Sequence, residues 1–185
     1  MGSRMFTAVL PSAALVADLD ELLESRRDVE PALRWSRPEA WHLTTSFMAD
    51  VQRDSLDDLV ANLADVAGRS APFPLRVEGG LAFPNPSRAK VLALGVSDGN
   101  AELGALSAGA RRAASRAGVE ADGTRFVGHL TVARSRAGVQ ASKWIGLLDS
   151  FPGWSWQAEE LCLVESHRLG RHYEVLERFA LGASA

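Results

Sequence analysis

The tripeptide His-Leu-Thr occurs twice, at His42 to Thr44 and at His129 to Thr131, each time inside a run of apolar and β-branched residues that reads as a strand. Alternate side chains of a strand share a face, so His42 projects with Thr44 and His129 with Thr131. Leu43, Thr45 and Phe47 in the first copy, and Leu130 and Val132 in the second, point the other way. Each strand therefore binds to a core by one face and offers an imidazole beside a hydroxyl on the other. Two such strands, about half a chain apart, are a hint of internal duplication and would line a cleft.

The rest of the chain supplies elements to hold them. Arg4 to Leu10 reads as a strand, and Pro11 opens a helix with Leu15, Leu19, Leu22 and Leu23 on one face. Ala32 to Arg37 is extended, Pro38 breaks it, and Trp41 to Phe47 is extended again. Asp54 begins a helix with Leu56, Leu59, Val60 and Leu63 as its stripe, ended by Gly68. The second half repeats the rhythm. Strands at Phe73 to Phe83 and Arg88 to Val96 flank the Pro84-Asn85-Pro86 turn, and a helix over Ala101 to Ala117 is closed by Gly118. A strand at Phe126 to Ala133 and a helix at Val139 to Phe151 follow. Trp154 to His167 and Tyr173 to Leu181 form a final hairpin around Gly170. Paired strands with helices between them define an α+β fold, and with no linker-like stretch residues 1–185 are expected to form one domain.

Composition narrows the function classes. The 185 residues are 46% hydrophobic, enough for a core, and 20 basic against 23 acidic side chains give a net charge of −3, which excludes a globally basic nucleic-acid coat. Locally the balance differs: Gly123 to Leu148 holds no Asp or Glu but contains Arg125, Arg134, Arg136 and Lys143, a stretch suited to phosphate. Cys162 is the only cysteine, which excludes an internal disulfide and a cysteine-based zinc site, and its place between Leu161 and Leu163 reads as core packing. No run of about 18 apolar residues exists. The chain is expected to be soluble, cytoplasmic, monomeric and free of membrane partners.

Two facing imidazoles suit phosphoryl transfer, because one can take a proton from the nucleophile while the other gives one to the leaving oxygen. Histidine titrates near neutrality, so a neutral and a protonated copy can coexist, and threonine hydroxyls can donate to non-bridging phosphate oxygens. Threonine is also a good strand former and a single strand histidine is commonly just half exposed. Residue types alone therefore leave a catalytic pair and a purely structural pair both open.

The order of motifs resembles the two-histidine (2H) phosphoesterases, and within them the RNA 2',3'-cyclic phosphodiesterases once named 2'-5' RNA ligases. The resemblance is carried by Arg4 to Pro11, by Leu33-Arg34-Trp35 leading through Pro38-Glu39 to Trp41-His42-Leu43-Thr44-Thr45-Ser46-Phe47-Met48, and by Gly80 to Pro84. It continues through Phe126-Val127-Gly128-His129-Leu130-Thr131-Val132-Ala133-Arg134, Leu163 to Ser166 and Tyr173 to Leu176. It implies a bilobal α+β fold, two pseudo-symmetric lobes of antiparallel strands with outer helices around a central cleft. It further implies His42 as the proton donor, His129 as the proton acceptor, Thr44 and Thr131 as phosphate ligands, and no metal or cofactor. The implied reaction is hydrolysis of a terminal RNA 2',3'-cyclic phosphate to a 2'-phosphate, with 2'-5' ligation as its reverse. A phosphodiesterase for a small cyclic nucleotide, such as an ADP-ribose cyclic phosphate, and a non-catalytic RNA-end-binding module are the alternatives. Two positions depart from the family's usual residues, Gly128 where Pro is common and Ala49 where Gly is common, the latter bearing on local turn geometry.

Other candidates surround the motifs. Arg134 could grip a phosphate, but strict alternation puts it on the face opposite His129 and Thr131, so a bulge would be needed. Trp35 and Trp41 could stack a base or pack in the core. His167 and His172 flank the last turn without an Asp or Cys to complete a metal clip, and read as a solvated hairpin. Arg111, Arg112 and Arg116 read as a solvated helix face, and Glu159 and Glu160 as exposed charges.

Overall fold

A computed structural model describes residues 2–167 and 172–183. In chain order the elements are β1 (Ser3–Val9), α1 (Ala13–Glu24), β2 (Arg34–Trp35), β3 (Leu43–Val51), α2 (Arg53–Gly68), β4 (Phe73–Phe83), β5 (Ala89–Asp98) and α3 (Asn100–Arg116). They continue with β6 (His129–Val139), α4 (Ser142–Asp149), β7 (Trp154–Ala158), β8 (Glu160–His167) and β9 (His172–Ala180). Among the described residues no helix is long and apolar enough to cross a membrane. The expected turn at Gly170 lies outside the described residues.

The strands form two antiparallel sheets, a four-stranded one ordered β3-β1-β8-β9 and a five-stranded one ordered β2-β6-β5-β4-β7. The α+β expectation therefore holds, but the two sheets are not the two halves of the chain. Strands β1, β3, β8 and β9 build one sheet, while β2 and β4 to β7 build the other, so the chain passes between them repeatedly. The run from Trp154 to His167, expected as one strand, is where it crosses back. Trp154–Ala158 pairs with β4 and Glu160–His167 pairs with β1. The consecutive exposed residues Glu159 and Glu160 break the alternation there, since neither side of a continued strand could bury them.

Helix α1 starts at Ala13 rather than at Pro11, because Ser12 caps it by accepting a hydrogen bond from the Leu15 backbone N–H at 3.2 Å. Its Leu15, Leu19 and Leu23 are wholly buried, each contributing about 1.5–3 kcal/mol of burial free energy. The Trp154 indole N–H donates to Asp18 at 3.2 Å, tying α1 to β7. Helix α2 lies against β8, β9 and α3, α3 against β3, and α4 against β4. One continuous core cluster runs from Met5 and Leu43 of the first sheet to Leu94 and Leu130 of the second, so the two sheets share an interior.

Candidate active site

The two histidine strands are built alike down to their irregularities. Along β3, Thr44 stands opposite Ala8 and Ser46 opposite Thr7, leaving Thr45 as an extra residue. Along β6, Thr131 stands opposite Ala93 and Ala133 opposite Leu92, leaving Val132 as the extra residue. Both bulges fall on the residue that follows His-Leu-Thr. A bulge resets the alternation: Thr45 and Ser46, like Val132 and Ala133, are consecutive buried residues. The next residues, Phe47 and Arg134, return to the face that carries the imidazole and the hydroxyl. The expectation from strict alternation, with Phe47 and Arg134 on the far face, is thereby corrected. The first bulge is held from inside by a hydroxyl–hydroxyl bond of 2.7 Å between Thr7 and Thr45, both buried.

Each imidazole is anchored in the same way. His42 Nδ1 lies 2.7 Å from the Ala40 carbonyl oxygen, and His129 Nδ1 lies 2.7 Å from that of Val127, in both cases two residues upstream. A carbonyl only accepts, so Nδ1 carries the hydrogen and Nε2 is left as the working atom in both copies. His42 stacks on Phe6 at 4.5 Å between ring centroids and meets the edge of Tyr173 at 5.3 Å. His129 lies 5.0 Å from the Phe83 ring. These aromatic walls remove water from the rings. Burial, opposed by the Ala40 hydrogen bond and reinforced by the charges of Arg134 and His129, lowers the His42 pKa from 6.5 to about 4. His129 is also lowered, again chiefly by burial, with the Arg134 charge adding to it. Arg134 thus acts on both histidines, one from each sheet, and the structure brings all three together. In the unliganded protein both rings are neutral near pH 7.

Thr44 and Thr131, half-buried, lie on the same faces as their histidines. Other candidates separate from this constellation. Trp41 is 2% exposed and belongs to the core, and Trp35, half-buried, makes an edge-to-face contact with Trp144 of α4. Arg111 has its Nε buried, and Arg112 and Arg116 are exposed on α3, which packs against α2 and β3. Cys162 is buried as expected, and burial pushes its thiol pKa up. Glu160 pairs with Arg178 at 3.0 Å on the surface. His167, read as part of a solvated hairpin, has Glu174 at 3.1 Å and Glu165 at 3.6 Å, brought by cross-strand pairing of β8 and β9. Ala49, read as a turn position, sits inside β3, which runs on to Val51. Gly128 marks the strand entrance: a Cβ there would meet Asn100 Oδ1 at 2.6 Å and Val96 at 3.1 Å.

Phe6, Phe83 and Tyr173 were missed as site residues by the sequence reading. Their signal is relational: Phe6 lies on β1, which pairs with β3, Phe83 on β4, which pairs with β5 beside β6, and Tyr173 on β9, two strands beyond β1, so the face of each is fixed only by the order of strands in its sheet.

The model of the 2'-5' RNA ligase superfamily matches residues 11–170. The RNA 2',3'-cyclic phosphodiesterase of Aquifex aeolicus is 25% identical over 173 residues, covering 90% of this chain and 92% of that protein. The enzyme of the same name from Archaeoglobus fulgidus is 29% identical, covering 71% and 72%. Among solved structures, Thermus thermophilus TT0787 superposes with a TM-score of 0.77 at 26% identity, covering 98% of this chain and 100% of that one. E. coli LigT in its apo form gives 0.76 at 24% identity, covering 97% and 98%.

Proposed function

This chain belongs to the 2'-5' RNA ligase superfamily, and from that premise we propose that it is a hydrolase opening 2',3'-cyclic phosphates at RNA ends to leave a 2'-phosphate, with His42 and His129 as acid and base. The observation that carries the reading is the duplicated anchor: two imidazoles with Nδ1 pinned to a carbonyl and Nε2 without a hydrogen-bond partner among the described residues, a threonine beside each, and Arg134 acting on both. The relatives named as RNA 2',3'-cyclic phosphodiesterases support the substrate class.

In this mechanism the cyclic phosphate lies between the two strands, with Thr44, Thr131 and Arg134 on its non-bridging oxygens, where charge accumulates in the transition state. His129 Nε2 takes a proton from water as the water oxygen forms a bond to phosphorus in line with the breaking P–O3' bond. His42, charged, gives its Nε2 proton to the departing 3'-oxygen. Water is consumed, a 3'-hydroxyl and a 2'-phosphomonoester are formed, and each histidine ends in the other's starting state. The depressed pKa of His42 makes it a strong acid once protonated, and the incoming phosphate anion favours that protonation. The same in-line geometry with a 5'-hydroxyl in place of water as the nucleophile forms P–O5' as P–O3' breaks, which makes a 2'-5' linkage and frees the 3'-hydroxyl.

Phosphorus NMR of a short RNA ending in a 2',3'-cyclic phosphate tests the reading, in excess EDTA, with wild-type, His42→Ala and His129→Ala proteins. The expected outcome is a 2'-monoester from the wild type and a loss of roughly 10²–10⁴-fold in each variant. A cyclic phosphate left intact by the wild type, or a 3'-monoester product, overturns the proposal.

A further inference from the structure

The cleft carries a second guanidinium beside the first. Strand β2 pairs with β6 so that Arg34 stands opposite Arg134 and Trp35 opposite Ala133. Directly opposed residues of antiparallel strands share a face, with Cβ atoms about 5 Å apart. Ala133 is fully buried and Trp35 packs on Trp144, so that pair faces α4. Arg34 therefore lies on the opposite face, with Arg134, Thr131 and His129. Both arginines are exposed, as is Arg136 two residues further along.

This is a costly arrangement without a ligand, since like charges set directly opposite one another repel. Among the described residues, ion pairs engage Arg27, Arg69, Arg76 and Arg178 but none engages Arg34, Arg134 or Arg136. No Asp or Glu occurs from Gly123 to Leu148 to neutralise Arg134 and Arg136 locally. An anion with more than one charged group would. The two arginines also differ in reach. Arg134 acts on both imidazoles, whereas Arg34 is not among the charges acting on either. Arg34 sits on β2, the edge strand, one step farther from the reacting groups.

We infer that Arg34 binds the phosphodiester immediately upstream of the terminal cyclic phosphate, and so selects RNA ends over free cyclic mononucleotides. This rests on the function proposed above and names its substrate more narrowly. A cyclic mononucleotide carries one phosphate and engages Arg134 alone. An oligonucleotide supplies a second, whose two non-bridging oxygens match the fork of a guanidinium. Arg34 is in this sense a specificity residue and takes no part in the proton transfers.

The test compares kcat/KM for adenosine 2',3'-cyclic phosphate with that for a trinucleotide ending in the same group, using wild-type, Arg34→Ala and Arg34→Lys proteins. The wild type is expected to prefer the trinucleotide. Arg34→Ala is expected to lower the trinucleotide-to-mononucleotide ratio by about tenfold, chiefly through KM, the scale of one charge-assisted hydrogen bond. Arg34→Lys recovers part of the ratio, and the salt dependence of trinucleotide turnover becomes shallower in Arg34→Ala by about 0.7 in logarithmic slope. Its thermal midpoint stays at or above that of the wild type, because a repulsion has been removed. A wild type without preference, or an Arg34→Ala ratio equal to that of the wild type, overturns the inference while leaving the hydrolase reading intact. A wild type that opens neither substrate overturns both.

Discussion

Acidification should cost this protein stability through His42 in particular. The ring is held between Phe6 and Tyr173 with a pKa of about 4, while in the unfolded chain it titrates near 6.5. Between those values the unfolded state binds the proton and the folded state does not, so stability falls as pH falls. The contribution is fully present above about pH 6.5 and fully lost below about pH 4. From the two pKa values the loss attributable to His42 is about 2 kcal/mol at pH 5 relative to pH 8, and about 3 kcal/mol at pH 4.

Carboxylates and His129 also titrate on acidification, so the informative quantity is a difference. Urea unfolding at several pH values from 8 to 5 is to be run on the wild type and on His42→Gln. The wild type should lose about 2 kcal/mol more than the variant across that range. The bulk of that divergence should fall below pH 6.5. A saturating product analogue with a 2'-phosphate should reduce the divergence, because the bound anion favours the protonated ring and raises its folded pKa. Stability curves that run parallel in the two proteins would refute the reasoning, since they would mean that the Phe6 and Tyr173 walls do not exclude water from His42.

Three further outcomes follow from the same geometry. Arg134→Ala should lower kcat/KM for the cyclic phosphate by roughly ten- to a hundredfold and raise the pKa values of both histidines, readable as imidazole shifts in an NMR titration. If neither imidazole shifts, the bulge at Val132 does not turn Arg134 toward them. Thr131→Val, which preserves shape, should cut kcat/KM by roughly tenfold with little change in the urea midpoint; an unchanged rate would remove this hydroxyl from the phosphate site. Gly80→Ala should destabilise by about 1–3 kcal/mol, because its Cβ would stand 2.8 Å from the Ile145 carbonyl oxygen and 2.9 Å from its Cα; equal urea midpoints would show that α4 can move off β4.

How far the sequence could be read depends on which kind of order each feature obeys. Helical periodicity is local, so the buried stripe Leu15, Leu19 and Leu23 was legible, as were Leu59 and Leu63. The placing of His42 beside Thr44 and of His129 beside Thr131 was legible for the same reason, since it needs only the two-residue period of a strand. Arg134 was not, because its face depends on a bulge set by the pairing of β6 with β5, and Val132 looks like any other strand residue. The second copy supplies the missing clue. Thr45 occupies the same place in the first strand and is bulged in the same way, so the motif is better described as four residues with a bulge on the last than as a tripeptide. On that description the sixth residue of each copy returns to the cleft, Phe47 in one and Arg134 in the other. The pseudo-symmetry is thus kept by the backbone and broken by the side chains: where Arg134 follows the second motif, Phe47 follows the first, with the Arg4 guanidinium 5.4 Å from its ring centroid.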